Sequence, residues 1–233
     1  MINLQNPNLQ IITLAISELG PLANDLVLIG GSAVGLLITD SASPSVRSTM
    51  DIDLITSVTP IANYYLLCNE LKSLGFKEVE EVICRWKKGE LIIDVMPTDE
   101  KILGFASQWY EIAFSTAHTH VLHNGSKFRM ITAPLFLATK IESFHQRAND
   151  DYGHHDFEDM INLIDGRPEL IDEVISSNPD VQNYIIEEFK KIYTDKNFQS
   201  ALPWHFRPSP DSEGRLEMVL SRIDKLANLP IIQ

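Results

Sequence analysis

Cysteine is scarce in this chain of 233 residues: there are two, Cys68 and Cys84. Their spacing fits no metal-ligand pattern, and two thiols do not make a disulfide scaffold, so both are expected to be reduced, as in a cytoplasmic protein. Long apolar runs are missing. No stretch approaches the ~20 residues needed to span a bilayer, and Met1 to Glu18 has no basic region of the signal-peptide kind, so no membrane partner is expected. Positive charge is also short. Lys and Arg number 19 against 32 Asp and Glu, a net charge of −13. General electrostatics therefore does not favour a phosphate backbone, and any nucleic-acid contact has to be local or screened by metal ions. The G-x-G-x-x-G fingerprint is absent, which excludes the common dinucleotide-binding signature. No Ser-His-Asp or Cys-His arrangement stands out. Internal repeats and low-complexity tracts are lacking as well.

What is present is ordinary globular material, 44% hydrophobic and 22% charged, in a chain long enough to bury a sizeable core. Leu9, Ile12, Ile16 and Leu19 recur at helical spacing and predict an opening helix, ended by Gly20-Pro21. Asp25–Ile29 reads as a buried strand bounded by Gly30-Gly31, and Ser32–Ile38 as a short helix capped by Ser32. After a Ser/Pro-rich loop, Asp51–Ile55 alternates carboxylate with aliphatic side chains, a strand with one charged face. Pro60–Leu74 predicts a helix. Phe76–Val82, Ile83–Trp86 and Glu90–Met96 predict strands, with a turn at Lys88-Gly89. Ser107–Ser115 carries no clear pattern. Thr119–Leu122 and Lys127–Thr132 form a hairpin across His123-Asn124-Gly125. Pro134 opens a long helix through Arg147. Further helices are expected from His154 to Ile164, over Glu169–Ser176, Asp180–Tyr193 and Arg215–Leu226, with a loop over Ala201–Gly214.

Three carboxylates on predicted strands carry the chemistry. Asp51 and Asp53 are two apart and share a sheet face, while Ile52 and Leu54 turn to the other. Asp94 ends the apolar run Leu91-Ile92-Ile93. Carboxylates that converge repel unless a cation joins them, and hard oxygen donors suit Mg²⁺ or Mn²⁺. Two such ions clamp a triphosphate and activate an attacking hydroxyl. Upstream, Gly30-Gly31-Ser32 sits between a strand and a helix. Glycine lets backbone approach a phosphate, the helix start offers free N–H groups, and Ser32 adds a hydroxyl donor.

The run Gly31-Ser32, Arg47-x-Thr49-x-Asp51-x-Asp53 and Asp94 resembles the DNA polymerase β-type nucleotidyltransferase superfamily. Leu137-Ala138-Thr139-Lys140-Ile141-Glu142, then Arg147, then His155-Asp156-Phe157-Glu158-Asp159, then Asp165-Gly166-Arg167-Pro168 resembles the AbiEii/AbiGii-type toxin nucleotidyltransferases, a group that includes the MenT-like enzymes. The resemblance spans about residues 26–170.

It implies an α+β fold. A polymerase-β-type core over 1–132, a mixed twisted sheet with flanking helices, precedes a mainly helical domain over 133–233 that contributes Lys140 and Arg147 to the cleft. It further implies that Gly30, Gly31 and Ser32 hold the triphosphate of an NTP. Asp51 and Asp53 ligate both metals. Asp94 ligates the metal beside the acceptor and helps deprotonate its hydroxyl. Arg47, in the loop before the aspartate pair, is either a phosphate contact or an exposed loop arginine.

Lys140 and Arg147, seven apart on one helix face, suit a polyphosphate or simply a solvated face. Asp156, more than Asp159, is expected to orient them. The implied activity is transfer of NMP to a hydroxyl with release of pyrophosphate, in a type IV-like toxin–antitoxin or abortive-infection system. A tRNA 3′ end or a protein would be the acceptor, and an antitoxin the cognate partner. A local patch of Arg85, Lys87 and Lys88 would serve an RNA. The alternatives are an aminoglycoside-type small-molecule nucleotidyltransferase and a silent nucleotide- or partner-binding protein. His118, His120 and His123 lack a third partner at zinc spacing. Trp204-His205-Phe206-Arg207 would stack on a base or, more simply, pin its loop to the core.

Overall fold

The computed structural model describes residues 6–58, 61–206 and 212–232. The fold is α+β and divides into two compact units, one of residues 2–36 and 45–132, the other of residues 37–44 and 133–233.

The first unit opens with α1 (Leu9–Leu19), whose Ile12, Ile16 and Leu19 are buried as their spacing requires. Gly20–Asp25 then forms a 3₁₀ helix, which shortens the expected strand to β1 (Val27–Ile29). The chain passes directly into α2 (Gly30–Leu37). The rest of the unit is β2 (Asp51–Thr56), α3 (Ile61–Ser73), β3 (Lys77–Glu78), β4 (Arg85–Lys88), β5 (Leu91–Pro97), α4 (Glu100–Leu103), α5 (Tyr110–Ser115), β6 (His118–Val121) and β7 (Lys127–Met130). Pro60, expected to begin α3, lies outside the described residues. The expected strand over Phe76–Val82 shrinks to the two residues of β3, and α5 falls in Ser107–Ser115, which carries no clear pattern.

The strands form one seven-stranded sheet in the order β3-β4-β5-β2-β1-β7-β6. It is mixed: β2 runs parallel to β5 and β1 parallel to β7, whereas β1–β2, β3–β4, β4–β5 and β6–β7 are antiparallel. One face is wholly apolar at its centre. Leu28 pairs with Leu54, Ile52 with Ile93 and Trp86 with Ile93, and all are buried. Burying side chains of this size stabilises by roughly 1.5–3 kcal/mol each, and that is what anchors the register. The opposite face of β2 and β5 therefore has its carboxylates placed by packing that they take no part in.

The loop into β2 is pinned by Asn8, which is fully buried. Its side-chain amide donates to the Arg47 carbonyl at 3.1 Å, and its oxygen accepts from the Thr49 amide at 2.8 Å. These bonds use the side chain that would otherwise cap α1.

The second unit contains α6 (Ala133–Arg147), α7 (His155–Gly166), α8 (Leu170–Ile175), α9 (Pro179–Thr194), α10 (Lys196–Ala201) and α11 (Ser212–Ala227). Helix α10 lies between the helix expected over Asp180–Tyr193 and the loop expected over Ala201–Gly214; residues 207–211 of that loop, with Arg207, lie outside the described residues. An aromatic cluster of Phe144, Tyr152, Phe157 and Phe198 packs edge-on and tilted, with Tyr152 and Phe157 centroids 4.9 Å apart. At the end of α7, Arg222 donates to the Ile164 and Asp165 carbonyls at 2.6 and 2.7 Å, satisfying groups the helix leaves open. Thr39 and Asp40 amides donate to the Gly166 carbonyl, and a Cβ on Gly166 would come within 2.7 Å of Ile38. That close approach is why residues 37–44 belong with the helices.

Replacing Asn8 with Ala strands the Arg47 carbonyl and the Thr49 amide. The expected loss is about 1–3 kcal/mol in urea unfolding, with faster hydrogen exchange at the Thr49 amide. Unchanged exchange there would refute the pinning.

Candidate active site

Alternation along β2 puts Asp51 and Asp53 on the face opposite Ile52 and Leu54. Parallel pairing sets Asp53 directly beside Asp94, so the three carboxylates share one face. On its other side Asp53 pairs with Ile29, the residue before Gly30. Gly30 has φ +68, and a Cβ there would lie 1.8 Å from the Asp53 carboxylate oxygen Oδ2. Only glycine fits, on both conformational and steric grounds. The positive φ turns the chain from strand into helix at once, so α2 begins at Gly30 and carries Gly31 and Ser32 in its first turn.

Ser32 is therefore not the N-cap that its residue type suggested. Its side chain is completely buried, and Oγ has no hydrogen-bond partner among the described residues. A buried hydroxyl without a partner costs about 1–3 kcal/mol, which a bound acceptor would recover.

The sequence reading missed the main partner of the carboxylates. The sequence predicts a basic patch of Arg85, Lys87 and Lys88, and the structure breaks up that patch. In the β4–β5 hairpin Arg85 stands opposite Asp94. Its Nε donates to Asp94 Oδ1 at 2.8 Å and its Nη2 to Asp94 Oδ2 at 2.8 Å; Nη2 also reaches Asp51 Oδ2 at 2.7 Å. Asp94 holds the Arg85 proton more tightly than usual, outweighing the opposite effect of partial burial. Lys88 turns the other way and pairs with Glu18; Lys87 is exposed. The signal lay in the turn. A two-residue turn over Gly89-Glu90 pairs Lys88 with Leu91 and so Arg85 with Asp94, whereas a turn centred on Lys88-Gly89 pairs Arg85 with Ile92.

Cys84, next in line, has φ +70, and burial together with the Asp94 and Asp53 charges pushes its thiol up to about 12. It is an inert thiol at neutral pH. Arg47 is half-buried in the loop that Asn8 holds.

The second unit carries its own charge cluster. Lys140, buried in mid-α6, places Nζ 2.8 Å from Asp156 and 2.7 Å from Asp159, both fully buried on α7. Arg147, with 58% of its side chain exposed, donates Nε to Asp156 Oδ2 at 2.7 Å. Burial drives the Asp156 carboxyl up, but Arg147 and Lys140 together overcome it and hold the group well below the usual carboxylate range. His154 caps α7, its Nδ1 accepting from the Asp156 amide at 3.2 Å.

His154, His155 and Asp156 have ligand atoms within 4.8 Å of one another. Both Asp156 oxygens also accept from Lys140 and Arg147, and His154 Nδ1 accepts from the Asp156 amide. His118 and His120 lie on edge strand β6, where His120 stacks on Phe128 at 5.7 Å. Trp204 does not pin its segment: it is 75% exposed. The anchor is His205, bonded to the Tyr152 carbonyl at 2.7 Å and edge-on to Phe157. No helix among the described residues is long and apolar enough to cross a membrane.

No protein-family model matches the chain, and no curated protein matches it. Solved structures with similarity to it include an antigenic nucleotidyltransferase-like protein from Paracoccidioides brasiliensis, 21% identical, with 91% of this chain and 93% of that one covered and a TM-score of 0.49. JHP933 from Helicobacter pylori is 11% identical, over 94% of this chain and 89% of that one, at a TM-score of 0.49. The ANT(2″)-Ia structure in complex with adenylyl-2″-tobramycin is 17% identical, over 66% and 86% of the two chains, at a TM-score of 0.44.

Because the folded Asp156 titrates below its unfolded value, the stability it contributes is complete above about pH 4 and is lost as pH falls towards the folded value. Asp156→Asn is expected to cost about 3–5 kcal/mol at pH 7, because Lys140 loses one of its two buried partners. The variant's urea midpoint should then fall less steeply than the wild type's between about pH 5 and pH 2. Parallel slopes would count against this ion pair.

Proposed function

We propose that the chain is a metal-dependent nucleotidyltransferase that moves NMP from an NTP to a hydroxyl acceptor and releases pyrophosphate. The observation that carries this reading is the convergence of Asp51, Asp53 and Asp94 on one sheet face, against Gly30 and the buried, unpartnered Ser32 hydroxyl. The residues fit a hard divalent cation such as Mg²⁺ or Mn²⁺: the donors are all carboxylate oxygens, and a positive group already sits among them. Asp51, Asp53 and Asp94 would hold it. When bound, the cation supplies charge neutralisation on the phosphates and activation of the acceptor.

In this reading the amides of the first turn of α2 take the polyphosphate, and the Ser32 hydroxyl adds one bond. Gly30 keeps that backbone close to Asp53. Asp94 takes the acceptor proton as the hydroxyl oxygen bonds to the α-phosphorus and the bond to the β-phosphate breaks. Arg47 is a further phosphate-binding candidate; within the helical unit Lys140 and Arg147 are anion-binding candidates in their own right, Arg147 being the one with an exposed side chain and Asp156 orienting both.

We infer, from the resemblance of the Lys140–Arg147–Asp156 segment, that the biological role is that of an AbiEii/AbiGii-type toxin. Its acceptor would be a tRNA 3′ end or a protein, and an antitoxin its partner. The net charge of −13 favours an acceptor without a long phosphate backbone. A small-molecule acceptor, of the aminoglycoside kind, is therefore the second reading.

Pyrophosphate release from each NTP with Mg²⁺ is expected in the wild type and should fall at least about a hundredfold in Asp53→Ala. Labelled NTP offered to total RNA, total protein and metabolites should mark one pool and so name the acceptor. Binding of NTP with no labelled pool would replace transfer with a silent binding role. Growth arrest on expression tests the toxin role, and a harmless wild type would sink it.

A further inference from the structure

We infer that Arg85 is a resident counter-cation that competes with divalent metal for Asp94 and Asp51, and so sets the metal concentration at which the site can load. This rests on the proposed metal site, and it adds a residue to which that proposal gives no role.

The geometry is specific. The guanidinium meets Asp94 fork to fork, taking both of its oxygens, and the same Nη2 takes one oxygen of Asp51. Such bidentate, charge-assisted contacts are the strong kind. While Arg85 is in place both Asp94 oxygens are engaged, which weakens them as ligands of a cation and as acceptors of a proton. A metal that used Asp94 would also sit beside a full positive charge, and the two cations exclude each other. The arrangement has a reason in the metal-free protein. Three carboxylates on one half-buried face repel, and Arg85 neutralises two of them. Its release needs no backbone change. The side chain is long and 27% exposed, and it stands on a four-residue strand.

A purely structural arginine and a competing one predict opposite signs. If Arg85 only supported the site, removing it would loosen the carboxylates and weaken metal binding. If it competes, its removal raises affinity. Mn²⁺ binding without NTP, read from the EPR signal of free Mn²⁺, is expected to be at least about tenfold tighter in Arg85→Gln than in the wild type, and Arg85→Lys should fall between. Lysine keeps the charge but loses the fork, and it covers the case in which Arg85→Gln does not fold. Melting in EDTA should be lower for Arg85→Gln, and Mn²⁺ should raise its midpoint by more than it raises the wild type's.

Equal or weaker Mn²⁺ binding in both variants, with binding intact in the wild type, would overturn the role of Arg85 and leave the nucleotidyltransferase reading standing. No binding by wild type or variants at about 10 mM, beyond the range of weak oxygen sites, would overturn both.

Discussion

Like charges gathered on one half-buried sheet face are the constraint from which the rest of this protein follows. Asp51, Asp53 and Asp94 are held there by the apolar packing of Ile52, Leu54, Ile93 and Val95 behind them. The hydrophobic term fixes where the carboxylates stand whatever they cost each other. A positive group is then required, and Arg85 meets the requirement with three short bonds. The same face is closed by Gly30, which no other residue can replace beside Asp53. The proposed chemistry and the stability of the sheet thus draw on the same carboxylates.

The helical unit solves a related problem in a different way. Asp156 and Asp159 are fully buried, and Lys140 and Arg147 compensate them from α6. Here cations and anions are both supplied by helices one turn or two apart, and the Asp156 side chain is completely shielded from water. At the sheet face the charge is only partly covered, the Arg85 and Asp51 side chains being 27% and 35% exposed. Arg222 and Arg215 tie α11 to the end of α7 by the same logic, donating to carbonyls and to Asp165 and Asp40.

Much of this was legible in the residue order. The alternation in Asp51–Ile55 defined the charged face because the intervening Ile52 and Leu54 had to be buried. The apolar spacing of Leu9–Leu19 and the long run from Pro134 to Arg147 marked helices to within a residue or so. Where residue type stood in for geometry, the reading failed. Ser32 is a good cap by type, but a positive φ at Gly30 starts the helix two residues earlier and leaves the hydroxyl inside. Trp204 is a large apolar side chain, yet His205 anchors that segment, because the Tyr152 carbonyl needs a donor. Arg85 looked like one of three surface cations, and a one-residue difference in the hairpin turn sends it to Asp94 instead.

By itself, the sequence determined the composition of the candidate site: which carboxylates, which glycines, and which face of β2 carries charge. Those are local properties, set by a period of two in strands and by what a missing side chain allows. Only the tertiary structure decided that Asp53 lies beside Asp94, since β2 and β5 are parallel, joined by a long crossover, and no turn sets their register. It alone also decided which cation the carboxylates hold, because a guanidinium reaches only what its strand partner puts within its length.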